Sequence, residues 1–457
     1  MEKNTTEKVD LRLDSNEFYK KYGRKKIVSM FTLGCKVNQY ETEAMTEMFE
    51  KESYEVVDFE QYADVYVINT CTVTNLGDRK SRQMIRRAKK MNENSIVAVV
   101  GCYAQTAAEE VSKIEGVNLI IGTKDRNKIV EFINQLEEQE EQINAVSNIM
   151  NTHEFEDMRV TSYKGRTRAF IKIQEGCNQF CSYCIIPYAR GPVRSRKSED
   201  IVEEVMQLAA NGFKEVVFTG IHIASYGKDL GNTDLIDILK KVHEVEGIER
   251  LRLGSLEPMT ISEAFVETVK TLPKMCPHYH ISLQSGCDET LKRMNRKYMS
   301  SDYRQVVDRL RNAFPDVAVT TDVMVGFPGE TEEEFEKSKQ FVDEIGFSQV
   351  HVFKYSPRKG TPAAKYSDQV PAPEKDRRSH EMMAVVQKNQ HLFYKNYLGK
   401  EVEVLFEQPL SGVAGYYEGL TVNYIPVAAA SEVVLEGKVQ TVKLEVIEND
   451  KIMGKIS

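Results

Sequence analysis

Apolar runs and amphipathic stretches alternate along the chain from Lys26 to about Leu136. Four of these runs have the length and the β-branched content of buried parallel strands: IVSMFTL, ADVYVINT, SIVAVVG and VNLIIGT. Because helical stretches separate them, the pattern predicts a doubly wound, flavodoxin-like α/β domain over residues 24–142. The acidic run Glu137–Gln142 predicts a helix end, and residues 143–162 a linker.

A second alternation, between about Ala169 and Pro357, contains six candidate strands: AFIKIQ, EVVFTGI, RLRLGSL, HYHISLQ, VAVTTDVMVGF and SQVHVFKYS. A helical stretch follows each of the first five. Six such units are too few to close an eightfold barrel, so the pattern predicts a partial (β/α)6 barrel in a domain over residues 163–397. In such barrels the chemistry takes place at the carboxyl ends of the strands.

The last part of the chain changes from helical to β-like. A long helical stretch spans about Pro373 to Tyr397, and short strand-like runs separated by Gly-containing turns follow it. Residues 398–457 therefore predict a small all-β barrel of the oligonucleotide-binding type.

Composition narrows the class of protein. A chain of 457 residues, 41% hydrophobic and 28% charged, is typical of a multidomain globular protein. It has no apolar run long enough for a membrane span, and its polar N-terminus lacks the apolar core of a secretory signal. Eight cysteines without a signal indicate a reducing compartment and metal or catalytic use rather than disulfides. We expect a cytoplasmic protein with no membrane partner.

The net charge of −8 argues against a wholly basic nucleic-acid binder, but basic residues cluster locally. The clusters are Arg79–Lys90, Tyr163–Arg168 and Arg190–Lys197. The first alone could be an ordinary solvated helix face; together they predict a phosphate-binding patch. Its candidate contacts are Arg82, Arg86, Arg87, Arg190 and Arg194.

Three cysteines lie just past the first strand of the second block. Cys177, Cys181 and Cys184, here called the loop trio, have the spacing Cx3Cx2C. A structural zinc site would need a fourth Cys or His, and the nearest histidine is His222. A disulfide would leave one thiol over. The remaining interpretation is a 4Fe-4S cluster with one iron open to a non-protein ligand, and an aromatic residue before the last cysteine (Tyr183) is typical of radical S-adenosylmethionine enzymes.

Three further cysteines each follow a predicted strand of the first domain. Cys35, Cys71 and Cys102, here called the strand-end trio, should meet at the carboxyl edge of one parallel sheet, where ligands bind. One cysteine there would be ordinary packing, but three equivalent ones predict a second 4Fe-4S cluster, again with one open iron. Cys276 and Cys287 share no such position, and we interpret them as structural thiols.

Several motifs together resemble the radical S-adenosylmethionine methylthiotransferases over essentially the whole chain: TLGCKVNQYETE, INTCTVT, VVGCYAQ, GCNQFCSYCIIPYARGPVRSR, SLQSGCDETLKRMNRKY and TTDVMVGFPGETEEEF. The C-terminal barrel is similar to the RNA-binding TRAM domain of that family. GCKVNQYETE, CSYCIIPYARGPVRSR and VFKYSPRKGTPAA look most like the branch that acts on tRNA adenosine bearing N6-threonylcarbamoyl. Sister branches act on N6-isopentenyladenosine in tRNA or on a ribosomal-protein aspartate, and a non-catalytic RNA-binding iron–sulfur protein is a further alternative.

The resemblance implies a 2-methylthio product at the adenosine 3′ of the anticodon. It also implies two 4Fe-4S clusters and two molecules of S-adenosylmethionine per turnover, one a methyl donor and one a radical source. The partners would be the tRNA anticodon stem-loop and an electron donor such as flavodoxin or ferredoxin, and the sulfur donor stays open. The residues expected to line the S-adenosylmethionine pocket are Tyr183, Gly220, Ser255, Glu257, Gln284 and Val325. Tyr417 and Tyr424 are expected to stack on unpaired bases.

Overall fold

Six parallel strands form the N-terminal sheet of the structure, a computed structural model that describes residues 9–139, 141–163 and 167–457. The strands are β1 (Ile27–Thr32), β2 (Glu55–Val57), β3 (Val65–Thr70), β4 (Ile96–Gly101), β5 (Leu119–Ile121) and β6 (Ile143–Asn144). Their order, β2-β1-β3-β4-β5-β6, is that of a doubly wound, flavodoxin-like sheet, which confirms the predicted type of domain. The edge strands β2 and β6 were not predicted, because two or three residues give no apolar run; β6 lies in the predicted linker.

Helices cover both faces of this sheet. They are α1 (Ser15–Tyr22), α2 (Lys36–Lys51), α3 (Asn75–Met91), α4 (Cys102–Thr106), α5 (Ala108–Ser112) and α6 (Ile129–Gln139). Alternate residues of β3 and β4 enter two separate hydrophobic cores, with Val67 and Ala98 in one and Ile68 and Val99 in the other. Burial on both faces explains why these strands are continuous apolar runs.

The central domain is an open barrel of six parallel strands with one short antiparallel addition. The strands are β7 (Arg168–Glu175), β8 (Arg194–Ser195), β9 (Glu215–Gly220), β10 (Arg250–Leu253), β11 (His278–His280), β12 (Ala318–Val325) and β13 (Gln349–Lys354). The orders β10-β9-β7-β8 and β11-β12-β13 are joined by single bridges between Leu251 and Met275 and between Leu256 and Ile281. The predicted partial (β/α)6 barrel is confirmed, and β8, which pairs with β7, is the additional antiparallel strand.

The helices of the central domain are α7 (Ile186–Arg190), α8 (Ser198–Ala210), α9 (Leu235–His243), α10 (Glu263–Lys270), α11 (Asp288–Arg293), α12 (Ser300–Ala313) and α13 (Glu332–Ile345). Short 3-10 turns lie at Arg126–Lys128, Ile149–Asn151, Ile223–Ser225, Pro258–Thr260 and Pro362–Lys365. Helix α2 of the N-terminal domain packs on β7 and β9 and shares their hydrophobic core. The N-terminal domain therefore lies against the central barrel.

A closed five-stranded barrel ends the chain after helix α14 (Ala372–Lys395). Its strands are β14 (Glu401–Pro409), β15 (Tyr416–Thr421), β16 (Pro426–Ala430), β17 (Val439–Glu448) and β18 (Lys451–Ile456). It docks where the central strands begin: Arg250 donates to the Leu420 carbonyl at 3.2 Å, and Arg168 at the start of β7 forms an ion pair with Glu407. The C-terminal barrel therefore lies at the end of the central barrel opposite the loop trio. Among the helices of the described residues, none combines the length and the apolar character needed to cross a membrane.

Candidate active site

The strand-end trio lies along the carboxyl edge of the N-terminal sheet. Cys35, Cys71 and Cys102 follow β1, β3 and β4, which are consecutive neighbours in the sheet. Cys35 is exposed, Cys71 is half-buried and Cys102 is buried. Burial and, secondarily, the nearby thiols raise the pKa of Cys102 to about 12. The structure thus brings the three thiols together on one partly open edge.

Two residues of the segment GCKVNQ, Gly34 and Asn38, shape this edge. Gly34 has φ +106°, and a Cβ there would lie 2.9 Å from the Cβ of Cys71, so only glycine lets the first loop approach the second. The Asn38 amide donates to the carbonyls of Leu33 and Thr70, at 2.7 and 3.0 Å. Asn38 therefore ties the loop after β1 to the loop after β3, and this fixes the spacing of Cys35 and Cys71.

The loop trio follows the end of β7. Gly176 has φ +75°, and a Cβ there would lie 1.8 Å from the carbonyl oxygen of Pro192, so the chain can pass this point only as glycine. The Cys184 backbone N–H donates to the Cys181 carbonyl at 3.0 Å and closes a tight turn. Burial raises the pKa of Cys177 to about 11 and that of Cys184 to about 12.

A buried arginine faces the loop trio from the MNRKY segment. The Arg296 guanidinium donates to Cys181 Sγ at 3.3 Å and to the Glu257 carboxylate at 2.7 Å. Glu257 was predicted near S-adenosylmethionine, and the structure places it at this thiol edge, 3.8 Å from His222 Nε2. His222 Nε2 is buried and has no hydrogen-bond partner among the described residues. This edge therefore offers an unsatisfied polar atom toward a ligand.

The strand-end trio has an arginine of its own. Arg190 Nε donates to Cys102 Sγ at 3.1 Å, while its terminal nitrogens donate to Glu41, Glu175 and Asn38 at 2.5–2.6 Å. Glu175 is two residues before Cys177, so one guanidinium connects the surroundings of both trios. This corrects the prediction of Arg190 as a phosphate contact, because its side chain is 0% exposed.

Arg190 belongs to a buried ionic network between the two domains. The network contains four cations (Arg126, Lys172, Arg190 and Arg194) and three carboxylates (Glu41, Glu156 and Glu175). Arg194 is 2% exposed, so its prediction as a phosphate contact is corrected in the same way. The excess of one positive charge lies beside Cys102 and favours an anionic ligand set there.

A cavity of 240 Å³ lies between the two trios. The N-terminal domain contributes Val73 and Thr74, just past Cys71, and the central barrel contributes Tyr183, Cys184, Ile185, Ile186, Gln284, Asp322, Met324, Phe353, Lys354, Tyr355 and Ser356. Two of the residues predicted for the S-adenosylmethionine pocket, Tyr183 and Gln284, thus line it. One cysteine of the loop trio, Cys184, thus faces the cavity directly, and the strand-end trio reaches it through the two residues that follow Cys71.

Three other pocket predictions have different outcomes. Val325 is 1% exposed and belongs to the hydrophobic core, whereas its neighbour Met324 on β12 lines the cavity. Ser255 is exposed just past β10, and Gly220 lies at the end of β9, where a Cβ would lie 2.9 Å from the Gln174 carbonyl oxygen. Both lie at the carboxyl edge, outside the lining of this cavity.

The polar interior of the barrel continues from this cavity. His280 Nε2 lies 3.2 Å from the Asp322 carboxylate, and His351 adds a third potential ligand within 4.8 Å of both. These groups could bind a divalent ion or the polar part of a substrate. Lys36, next to Cys35, is half-buried on the same interior. Burial lowers the pKa of His351, and His280 and Lys36 lower it further, against the opposite effect of Asp322.

The predicted RNA contacts outside this site divide into surface and interior residues. Arg86 and Arg87 are exposed on α3, where Arg87 forms an ion pair with Glu60, and Arg82 is half-buried and donates to the Tyr103 hydroxyl at 3.0 Å. Residues 164–166 of the basic cluster Tyr163–Arg168 lie outside the described residues.

Tyr417 and Tyr424 occupy different surroundings in the C-terminal barrel. Tyr417 is half-buried on β15 and stays a candidate for base stacking. Tyr424 stacks on His278 at 4.5 Å, and Arg252 lies 4.9 Å from its ring centre. Its ring is thus used at the interface of the two barrels, which corrects the prediction that it stacks on a base.

The donor sets fit iron–sulfur clusters. All six cysteines are free thiols, each set has three of them, and one guanidinium N–H donates to a sulfur in each set. Such hydrogen bonds stabilise cluster thiolates. Burial raises the pKa of Cys71, Cys102, Cys177 and Cys184, so cluster binding must displace the protons of these thiols. Cys276 and Cys287 are buried elsewhere, in keeping with structural thiols.

Comparison with known families gives two matches. Residues 171–342 match the radical SAM superfamily, which implies S-adenosylmethionine and a 4Fe-4S cluster, and residues 27–122 match "Uncharacterized protein family UPF0004". A solved structure of similar fold is the radical S-adenosylmethionine methyltransferase TsrM from Kitasatospora setae with cobalamin and a [4Fe-4S] cluster bound. Its TM-score is 0.55 at 16% identity, with 75% of this chain and 77% of that chain covered. This likeness shows the fold alone.

Relatives along nearly the whole chain are more specific. Threonylcarbamoyladenosine tRNA methylthiotransferase MtaB of Bacillus subtilis is 44% identical over 91% of this chain and 93% of its own. The protein of the same name from Aquifex aeolicus is 40% identical over 83% and 92%. A tRNA-2-methylthio-N(6)-dimethylallyladenosine synthase of Clostridium perfringens is 34% identical over 94% and 98%. The two three-cysteine sets, the match to the radical S-adenosylmethionine superfamily and these relatives agree: the chain belongs to the radical S-adenosylmethionine methylthiotransferases.

Proposed function

We propose that this enzyme converts N6-threonylcarbamoyladenosine next to the tRNA anticodon to its 2-methylthio derivative. The observation that carries the proposal is the cavity whose lining includes Cys184 of the loop trio and Val73 and Thr74 beside Cys71 of the strand-end trio. Replacement of hydrogen by sulfur at an unactivated ring carbon needs a radical source and a sulfur site within reach of one substrate atom. The relatives with higher identity carry the threonylcarbamoyladenosine name, which favours this nucleoside over the isopentenyl one.

We assign the two cysteine sets to two 4Fe-4S clusters with different roles. The loop trio would hold the cluster that binds S-adenosylmethionine, and the strand-end trio would hold the cluster that carries sulfur. When bound, these groups would supply the one-electron cleavage of one S-adenosylmethionine and a sulfur that accepts the methyl group of a second. The sequence relatives support the first assignment; the convergence of three thiols supports the second.

The protein's own residues hold and shield this chemistry. Arg296 and Arg190 each donate one N–H to a cysteine sulfur and so orient the thiolates. Tyr183 and Met324 give the cavity an apolar wall that shields reactive intermediates from water. Gln284 and Asp322 supply the polar groups that can fix the base.

Exposed arginines on α3 and the C-terminal barrel would contact the anticodon arm, and a flavodoxin- or ferredoxin-type protein would supply electrons. A cytosolic location follows from the tRNA substrate. We leave the source of the inserted sulfur open.

The test uses the reconstituted full-length enzyme, S-adenosylmethionine, a strong reductant and two anticodon stem-loops that carry either N6-threonylcarbamoyladenosine or N6-isopentenyladenosine. Mass spectrometry of the nucleosides should show the 2-methylthio product from the first RNA. A product from the isopentenyl RNA alone would overturn the substrate assignment but not the enzyme class. The alternative of a non-catalytic RNA-binding protein predicts no product and no S-adenosylmethionine cleavage.

A further inference from the structure

Lys36 is a cation in an unusual position. It is the first residue of α2, directly after Cys35 of the strand-end trio, and it is half-buried. Its ammonium lies 5.7 Å from the centre of the Phe170 ring on β7, so the side chain extends from the cysteine edge toward the central barrel. The backbone of Lys36 thus adjoins the predicted sulfur site, while its charge lies in the barrel interior, where Arg168 and Arg252 are also near.

This charge has no ion-pair partner within 4 Å in the described parts of the chain; the Tyr424 hydroxyl and Glu215 act on it without a direct contact. No carboxylate there lies within 4 Å of the Lys36 ammonium, and no hydrogen bond joins it to another described residue. The interior carboxylates already have partners: Glu215 pairs with Arg252 at 2.7 Å, and Asp322 lies 3.2 Å from His280. An unpaired, partly buried ammonium is costly, and an anionic ligand would offset that cost.

We propose that Lys36 binds the carboxylate of the substrate's threonylcarbamoyl group. This inference rests on the proposed function. The 2-methylthio group enters at C2 of the adenine, and C2 and the carbon bearing N6 flank N1 on one edge of the ring. A base whose C2 faces the strand-end trio therefore presents its N6 substituent close to the same trio, where Lys36 begins.

The chemistry of the substituent agrees with a lone cation. A threonylcarbamoyl group ends in one carboxylate, whereas an isopentenyl group is a hydrocarbon and needs no charge partner. An ammonium–carboxylate contact would thus select the first nucleoside over the second. RNA phosphates are the competing anions, but they lie on the outside of a stem-loop, and Lys36 faces the barrel interior.

The experiment compares RNA binding, not only turnover. Anticodon stem-loops of one sequence would carry adenosine, N6-isopentenyladenosine, N6-threonylcarbamoyladenosine or the methyl ester of the last, which lacks the charge. Reconstituted full-length enzyme and the variants Lys36→Met and Lys36→Arg would be titrated by fluorescence anisotropy at one salt concentration. Lys51→Met, at the exposed far end of the same helix, is the matched control.

The expected result is a loss confined to the charged substrate. Lys36→Met should weaken binding of the threonylcarbamoyl RNA about 10- to 100-fold, the size of a charge-assisted contact. It should leave the other three RNAs near wild type, and Lys36→Arg should restore most of the loss. Wild-type enzyme should bind the methyl ester more weakly by a similar factor, a comparison that needs no variant to fold or hold iron.

Two results would overturn the proposal. Equal binding of acid and ester by the wild-type enzyme would show that no cation contacts the carboxylate. An equal loss on all four RNAs in Lys36→Met would indicate a phosphate contact instead. If the wild-type enzyme methylthiolated only the isopentenyl RNA, the proposed function itself would fail, and that outcome is separate from both.

Discussion

Replacing Arg190 by leucine should weaken the junction of the two domains more than any surface change. The variant removes the donor to Cys102 Sγ and the close contacts to Glu41, Glu175 and Asn38. In the variant, Glu41 still contacts Arg126 and Lys172, at 2.5 and 3.1 Å, so its carboxylate does not become a fully isolated charge.

The magnitude follows from these contacts. Removing one partner of a buried ion pair typically costs about 3–5 kcal/mol, mostly because a buried charge loses its partner. Since the network falls from four cations and three carboxylates to an even balance, we expect about 3 kcal/mol, the low end of that range. The free energy of unfolding of the apo-protein, from urea titration followed by circular dichroism, measures this loss.

Arg159 offers a matched control because it also contacts three carboxylates, those of Asp157, Asp200 and Glu203, but on the surface. Arg159→Leu should cost less than about 1 kcal/mol, as exposed ion pairs do. The loss in the double variant Arg190→Leu with Glu41→Gln should be smaller than the sum of the two single losses, because the two residues interact directly. An Arg190→Leu protein as stable as Arg159→Leu would refute the argument that this network holds the domains together.

The remaining predictions concern clusters, RNA and pH. Reconstituted enzyme should hold about eight irons, and alanine at all three loop-trio positions should leave about half; full iron content in that variant would contradict two separate clusters. Alanine at all three strand-end positions should preserve reductive cleavage to 5′-deoxyadenosine, measured by mass spectrometry, but abolish the 2-methylthio nucleoside. Arg86→Gln with Arg87→Gln should weaken tRNA binding and flatten its salt dependence, because phosphate contacts release counterions; an unchanged salt slope would exclude α3 from the RNA surface. Burial raises the pKa of Glu41, but the neighbouring cations outweigh it and lower the pKa from 4.5 to about 2. The contribution of Glu41 to stability is therefore present above pH 4.5 and is lost as the pH falls toward 2. The acid transition of Glu41→Gln, followed by circular dichroism, should be shallower than that of the wild type.

The sequence was most informative where a local pattern has one structural meaning. Continuous apolar runs identified the central strands, and a cysteine after each of three parallel strands was enough to predict one cysteine edge. The role of Arg190 was not predictable in this way. Its segment is a surface-like basic cluster in sequence, while its partner Glu41 is 149 positions away. Charge runs do not reveal burial, because burial depends on which domain packs against them.

The aromatic prediction failed for a related reason. Tyr424 lies in a turn of the small barrel with φ +70°, and nothing local distinguishes it from Tyr417. Only the docking of the two barrels puts His278 and Arg252 against its ring. The contact of Arg296 with Cys181 was also not predicted. Its place in the motif SLQSGCDETLKRMNRKY, which also contains Gln284, is a signal that could have indicated this role.

The position of the C-terminal barrel sets the distance that an RNA substrate must span if it contacts both this barrel and the cavity. Strand β7 starts beside that barrel and ends two residues before Cys177, and its eight residues at roughly 3.3 Å each span about 26 Å. An RNA that contacts the small barrel while its target base enters the cavity must bridge that distance without bending back. A paired stem does so as a stiff rod, whereas a short single strand would lose conformational entropy to reach both ends. The distance between the two contact points would thus let the enzyme distinguish a folded hairpin from a flexible oligonucleotide with the same modified base.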